Sequence, residues 1–446
     1  MDLFFWIREI ADFLWGPQML VFILGSGIYF SFRLKGIQFS QFFNASKATI
    51  RSRTPSGEGN ITPYQAFSSA LSGMVGNGNI AGVATAITIG GPGAVFWMWI
   101  SAIIGMATMY SESLLGFEYR QRDEDGTYLG GPMVYIEKGL RWKWLAVAFA
   151  AAMAIKTLVA TTSVQSNSMS IVLKSQLDIP QILSCIVIAL LTWMVIVGGI
   201  KSIAKTAQVL VPIMTLFYLA GGFLIILLNF EKLGQVLSLI LTSAFTTTSA
   251  AGGFAGATVL MALRYGAARG AYSNEAGTGS VAIMHATAQS DNPVRQSLIS
   301  MMSVFIDTLI LCSLTAFVIL LSGLWSADLN STALTSASFA QSIPAGHWIV
   351  IGASLLFGYS TLIAWCFYGE QCAAYILGDK IKRWYRWAFC LAILVGATSE
   401  AENIWSMGDL LNGITVIINL IGIIGLSGIV VAITGKYSNT RLINDE

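Results

Sequence analysis

Apolar runs long enough to cross a bilayer recur along almost the whole of this sequence, and they confine the fold more than any other feature. In hydrocarbon no water satisfies a backbone N–H or C=O, so each run must close its hydrogen bonds internally as a helix. Hydropathy predicts eleven spans, at Met19–Phe32, Tyr64–Ile89, Ala94–Tyr119, Trp144–Val172, Gln181–Val197, Gln208–Leu228, Val236–Tyr265, Gln296–Leu321, His347–Leu377, Trp387–Thr398 and Ile404–Ile433. Pro55, Pro63, Pro92, Pro132, Pro180, Pro293 and Pro344 lie at or just outside span ends, where helices stop. Only 11% of residues are charged, against about 25% in soluble domains, so an all-α integral membrane protein is expected. Met1 to Trp15 alternates acidic and aromatic residues, as an interfacial segment does, and no signal peptide is expected.

The distribution of Lys and Arg predicts the orientation. With the N-terminus outside, twenty-one basic residues fall on inner segments, Arg264 and Arg269 among them; the outer ones hold Arg8, Lys174 and Lys232. N-out, C-in is the expected topology. Two histidines, His285 and His347, leave little room for a histidine-based haem, di-iron or zinc centre. The five cysteines all fall in apolar runs without a CxxC pair, so free thiols are expected. No nucleophile–His–acid set, phosphate loop or basic nucleic-acid patch is visible, which argues against an enzyme and against a nucleic-acid partner.

Two spans are poor helix material. Ser72-Gly73-Met74-Val75-Gly76-Asn77-Gly78-Asn79 interrupts the second span, although each Gly costs roughly 1 kcal/mol against Ala in a helix. Thr246 to Gly256, with Gly252 and Gly253, interrupts the seventh. The two spans are five apart and therefore enter the membrane from opposite sides. Paired interrupted helices in oppositely oriented halves point to an inverted-repeat transporter with its site at mid-depth. The expected organisation is a single membrane transport domain, 1–446. It comprises an extra helix (19–32), a first inverted repeat (64–230) and a second (236–434).

A broken helix can bind a zwitterion without a charged side chain. Free N–H groups at the start of a half-helix suit a carboxylate, and free carbonyls before it suit a cation or an ammonium group. Gly73, Gly76, Gly78 and Asn79 are thus candidates for substrate, with Gly252 and Gly253 opposite; the Ser72 and Val75 carbonyls are candidates for the cation. Close helix packing is the competing explanation for the glycines. Gln165 and Asn167 sit among apolar residues; Gln165 is the candidate substrate contact, packing between helices the alternative. Glu112, Lys156, Asp307 and Glu370 lie within spans. They are read as scaffold or gate groups, Glu112 or Glu370 pairing with Arg264 or Arg269, and Asp307 pairing with Lys156 or serving structure. Glu275 is expected in a cytoplasmic inner gate.

The stretch Gly90-Gly91-Pro92-Gly93-Ala94-Val95-Phe96-Trp97-Met98-Trp99-Ile100-Ser101-Ala102-Ile103-Ile104-Gly105 resembles the signature of the sodium:alanine (alanine/glycine:cation) symporter family. Gly76 to Val83, Gly130-Gly131-Pro132, Ser273 to Ser280 and Phe305 to Thr308 are similar to that family too. Asn77 departs from it, since many members carry a small hydroxyl residue there. The resemblance implies a leucine-transporter-like fold, a five-plus-five inverted repeat with one extra N-terminal helix. It implies Na⁺ as co-transported ion and alanine or glycine as cargo, carried by a monomer in a bacterial or archaeal cytoplasmic (inner) membrane. It also implies that Ser360 and Thr361 complete a five-oxygen cation shell, Thr361 touching substrate as well, and that Trp365 caps a small pocket. From the residues alone, hydroxyls bonded back to their own helix and a lipid-facing Trp remain open. Coupling to H⁺, a glutamine-type substrate and, more distantly, an ion channel are the alternatives.

Overall fold

The computed structural model describes residues 3–246, 258–327, 329, 331–396 and 401–439. Its helices, in chain order, begin with α1 (Leu3–Leu14) and α2 (Pro17–Arg33), which meet at a 41° bend. They continue with α3 (Pro63–Met74), α4 (Gly78–Gly90), α5 (Ala94–Glu118), α6 (Lys143–Leu177), α7 (Gln181–Ile196) and α8 (Gly199–Leu228). The second part of the chain holds α9 (Phe230–Phe245), α10 (Val259–Asn274), α11 (Ser280–His285), α12 (Pro293–Ser322), α13 (His347–Leu377), α14 (Ile381–Val395) and α15 (Ala401–Gly425). One two-stranded hairpin, β1 (Gln121–Arg122) with β2 (Tyr128–Leu129), lies between α5 and α6. Among the described residues six helices are long and apolar enough to cross a membrane, or seven if α1 and α2 form one bent span. The protein is a multi-pass, all-helical membrane protein.

Burial follows from what each helix faces. On α7 and α8, Leu190, Met194, Ile213, Leu216 and Phe223 are exposed, the apolar belt that lipid requires. On α13 the polar and charged side chains Ser354, Ser360, Thr361, Glu370 and Gln371 are buried, which places this helix at the centre. Helix α3 starts where Thr62 and Gln65 form a capping box and Pro63 opens the first turn, a start worth about 1 kcal/mol.

The chain path shows a break opposite the first that the sequence reading did not anticipate. Gly90, at the end of α4, lies against Met261 and Tyr265 of α10, and Gly78, at its start, against Tyr272 and Ser273. Beyond α11, the Asn60 N–H donates to the Thr287 carbonyl (2.8 Å), just ahead of α3. So α10 and α11 together run antiparallel to α3 and α4. The break in that second path falls at residues 275–279, between α10 and α11, where Glu275, Gly277 and Gly279 all have positive φ. In the expected interrupted span Val236–Tyr265, α9 ends at Phe245 and α10 starts at Val259, and Gly252 and Gly253 lie outside the described residues. Hydropathy carried the seventh span only to Tyr265 and passed over 266–285, where Arg269 and Glu275 lower it. The two arginines sit on the side of the molecule that carries the N-terminal helix: Arg264 pairs with Asp12 (3.8 Å) and Arg269 with Asp409 (3.7 Å). They therefore group with the N-terminal helix and not with the basic residues expected on the opposite side, and neither pairs with Glu112 or Glu370 among the described residues.

At the opposite end of these helices the Arg120 guanidinium bonds the carbonyls of Glu58, Ala286 and Ala288, tying the chain before α3 to the chain after α11. Close packing of α10 on α5 needs Gly266, where a Cβ would stand 2.2 Å from the Ala94 carbonyl.

Candidate functional site

The two breaks face each other across a buried cavity of about 40 Å³ lined by Gly73, Gly76, Gly78, Thr161, Gln165, Tyr272, Ser273, Thr361 and Trp365. Such a space holds only a few water-sized groups.

On one side the first break presents hydrogen-bond donors. Helix α3 ends at Val75, whose backbone is extended, and α4 begins at Gly78 with a π-helical turn. The Gly76 N–H is taken by Asn79 Oδ1 at 2.9 Å. The N–H groups of Asn77 and Gly78 find no acceptor among the described residues, as the first turn of any helix leaves its donors. Gln165, from α6, accepts from Asn77 Nδ2 through its carbonyl (2.9 Å), so its own amide nitrogen turns toward Gly76. Ser354 of α13 bonds the other end of the Asn77 side chain (2.6 Å). Asn77, the residue that departs from the family's usual type, is therefore the joint between the first break, α6 and α13. Asn167 turns away from the cavity, onto the Gly396 carbonyl (2.9 Å).

On the other side oxygens converge. Ser360 Oγ lies 3.2 Å from the Ser72 carbonyl, 3.4 Å from that of Val75 and 2.9 Å from that of Phe357. Thr361 Oγ1 lies 3.3 Å from the Val75 carbonyl and 2.9 Å from that of Phe357. The hydroxyls do bond back to their own helix, and they also face the unwound carbonyls. Gly76 has to be glycine here, since a Cβ would stand 2.7 Å from Thr361 Oγ1.

Trp365 is buried, and its indole N–H is shared between the Gly73 carbonyl and Glu275 Oε1, each at 3.1 Å. It joins the first break to the second. Glu275 is not at a cytoplasmic gate: it is buried and lines the cavity. Lys156 lines it too, with its ammonium 4.4 Å from the Trp365 ring centre and 2.7 Å from Asn412 Oδ1. Sequence reasoning missed Glu275 and Asn412 as lining groups. The available signal was an acidic residue inside the glycine-rich run Asn274-Glu275-Ala276-Gly277-Thr278-Gly279.

The other buried charges hold the frame. Glu112 accepts from Asn419 (2.8 Å), which also bonds the Gly277 carbonyl (2.8 Å) and so braces the second break. Glu370 pairs with Arg386 of α14 (2.5 and 3.0 Å), not with Arg264 or Arg269. Asp307 accepts from Asn79, Ser273 and Thr308, and no ion pair joins it to Lys156 among the described residues. Elsewhere Lys382 of α14 sits among Asp123, Asp125 and Asp379 (3.1, 2.8 and 2.9 Å). Burial pushes the Asp123 carboxyl up despite Lys382, whereas Lys382 and Thr127 hold Asp125 below its ordinary value against the pull of burial.

Comparison with known proteins agrees with this architecture. A solved Na⁺-coupled sialic acid symporter superposes with a TM-score of 0.51 over 90% of this chain and 81% of its own, at 15% identity, a likeness of fold. An uncharacterized transporter of Bacillus subtilis, YflA, is 43% identical over 97% of this chain and 93% of its own. The sodium/alanine symporter AgcS of Methanococcus maripaludis is 41% identical over 99% of this chain and 98% of its own. The model of the sodium:alanine symporter family matches residues 2–445. The chain is a membrane transporter, not an enzyme, and it belongs to the sodium:alanine symporter family.

Proposed function

We propose that this transporter couples Na⁺ entry to uptake of a small neutral amino acid, alanine or glycine, across the cytoplasmic membrane of a bacterium or archaeon. The observation that carries this reading is the pair of facing breaks, with donors on one side of the cavity and oxygens on the other. The substrate carboxylate meets the N–H groups of Asn77 and Gly78 and the Gln165 amide; Gly73 and Trp365 close the pocket, and Asn79 holds the turn through Gly76. The ammonium group lies toward the second break. Glu275 and Lys156 balance each other's charge in the cavity, which suits a zwitterion of no net charge. Na⁺ takes the Ser72, Val75 and Phe357 carbonyls with the Ser360 and Thr361 hydroxyls, five neutral oxygens and so a weak site that can release its ion. The cavity of about 40 Å³ supports a cargo without a long side chain, and the name of the archaeal relative, a sodium/alanine symporter, supports both partners.

In this reading eleven helices cross the membrane, N-out and C-in, the first as an addition. Repeats of five follow, the second starting at Val259, and the carrier works as a monomer. One Na⁺ crossing about 100 mV releases about 2.3 kcal/mol, and a tenfold gradient about 1.4 kcal/mol more. Together they sustain several hundredfold accumulation, roughly, of a neutral cargo. Counterflow of labelled alanine in proteoliposomes tests the proposal. Saturable exchange that glycine competes for and that rises with Na⁺ is expected; indifference to Na⁺, or better competition by glutamine than by glycine, would refute it.

A further inference from the structure

Asp307 and Glu112 are the two fully buried acids that form no ion pair among the described residues, and of the two Asp307 is bonded to a residue that lines the cavity. It lies on α12 in a π-helical stretch, Phe305–Cys312, and is 0% exposed. Glu370 has Arg386, and Glu275 shares its cavity with Lys156. Asp307 forms no ion pair among the described residues. An ionised carboxylate inside a membrane without a counter-charge is costly, and it is retained where something positive comes to it.

Its neighbours connect it to both breaks. Asn79, whose carbonyl oxygen caps Gly76 in the first break, donates its amide to Asp307 Oδ1 at 2.6 Å. Ser273, the residue two before Glu275 at the second break, donates to Oδ2 at 2.8 Å, and Thr308 does so at 2.9 Å. Ser273 also lines the cavity, so one hydroxyl separates Asp307 from the space the substrate occupies.

We propose that Asp307 binds a proton, delivered from the cavity through Ser273, and that this proton travels with the substrate and Na⁺ in each cycle. The inference rests on the transport reading above. The surroundings suit a proton better than a metal cation. The Asn79 oxygen is committed to Gly76 and its nitrogen faces the carboxylate, and the Thr308 oxygen already accepts from Asn274 (3.2 Å). A proton needs one acceptor only. Once on Oδ2 it is donated to Ser273 Oγ, and Ser273 turns its own hydrogen to Cys312 Sγ, 3.4 Å away. No other bond changes, no group is left unpaired, and the proton leaves to cytoplasmic water when the site opens inward. The other ionisable groups near it are Glu275, after α10, and Cys312, on α12 itself. Helix α4 offers Asn79 alone, and α5 reaches this stretch through Trp99 on Ser313.

The test uses the full chain in proteoliposomes with equal Na⁺ on both sides and the potential clamped at zero by K⁺ and valinomycin. With the outside about one pH unit more acid, one proton per alanine drives accumulation up to about tenfold. The wild type is expected to approach that ratio, and Asp307→Asn to stay near onefold. Any uptake by Asp307→Asn under an inward Na⁺ gradient shows that the variant is folded. Ser273→Ala, which keeps the carboxylate and removes the acceptor, should weaken the acid-driven response more than the Na⁺-driven one. No acid-driven accumulation by the wild type, or its persistence in Asp307→Asn, would overturn the proposal. Wild type that ignores a Na⁺ gradient but responds to acid would instead refute the Na⁺ coupling and leave the proton site standing.

Discussion

Replacing Thr361 by Val keeps the shape of the side chain and removes one oxygen from the proposed cation shell. In the structure that oxygen sits 3.3 Å from the Val75 carbonyl and 2.9 Å from the Phe357 carbonyl. A ligand or hydrogen bond to a charged group is worth about 1.5–3 kcal/mol. The substitution should therefore raise the Na⁺ concentration for half-maximal transport roughly 10- to 150-fold. The methyl group fills the space of the hydroxyl in a buried, helical position, so the fold should tolerate it. Counterflow of labelled alanine at stepped Na⁺ measures the effect, with alanine saturating so that a change in substrate affinity does not enter. Ser360→Ala, at the neighbouring oxygen, should act in the same direction. The pair together should fall short of the sum, because the two hydroxyls share the Val75 and Phe357 carbonyls. If both hydroxyls only satisfy their own helix, neither substitution will move the Na⁺ dependence. An active Thr361→Val protein with half-saturation within about twofold of wild type would therefore refute the assignment.

Other perturbations separate the remaining roles. Trp365→Ala should open the pocket and let larger neutral amino acids compete with alanine, while freeing the Gly73 carbonyl and Glu275; unchanged selectivity in competition assays would count against a pocket wall. Gln165→Leu should weaken alanine binding by about 1.5–3 kcal/mol if its amide meets the carboxylate, read as a raised alanine half-saturation at fixed Na⁺. Lys382→Met strands Asp123, Asp125 and Asp379 together. With Asp125 42% exposed, the loss should be about 2 kcal/mol, below that of a fully buried pair, and visible as a lower midpoint of thermal unfolding. The pH dependence carries a sign. Burial already holds Asp123 above its ordinary value, and losing Lys382 removes the charge that lowers both Asp123 and Asp125. Protonation then relieves the repulsion, so the variant should regain stability relative to wild type as the pH falls from about 8 to about 5.

What the sequence could and could not disclose follows from where the energies are local. The first break was legible because three glycines and two asparagines inside an apolar run are a local anomaly, costly in any helix and more so in lipid. The hydroxyl pair of α13 was legible for a similar reason, adjacent polar side chains on an otherwise apolar helix. The second break was not. Ala250 to Gly256 looked like a matching anomaly, while the path that crosses opposite α3 and α4 carries Arg264, Arg269 and Glu275 and failed on hydropathy beyond Tyr265. Those charges are tolerable only because of partners far away in sequence: Asp12 and Asp409 for the arginines, and the Trp365 indole with Lys156 near Glu275. A window of neighbours cannot register a partner 90 or more residues distant, so pairing looks to it like exposure. The same blindness put Glu275 in the cytoplasm. It also offered Lys156 as one of two roles for Asp307, beside a structural one, since a lysine is the obvious neutraliser for a buried acid. In the structure Lys156 faces Trp365 and Asn412, and Asp307 is left to donors without charge. A charge that tertiary contacts do not neutralise is the one to suspect of meeting a mobile ion.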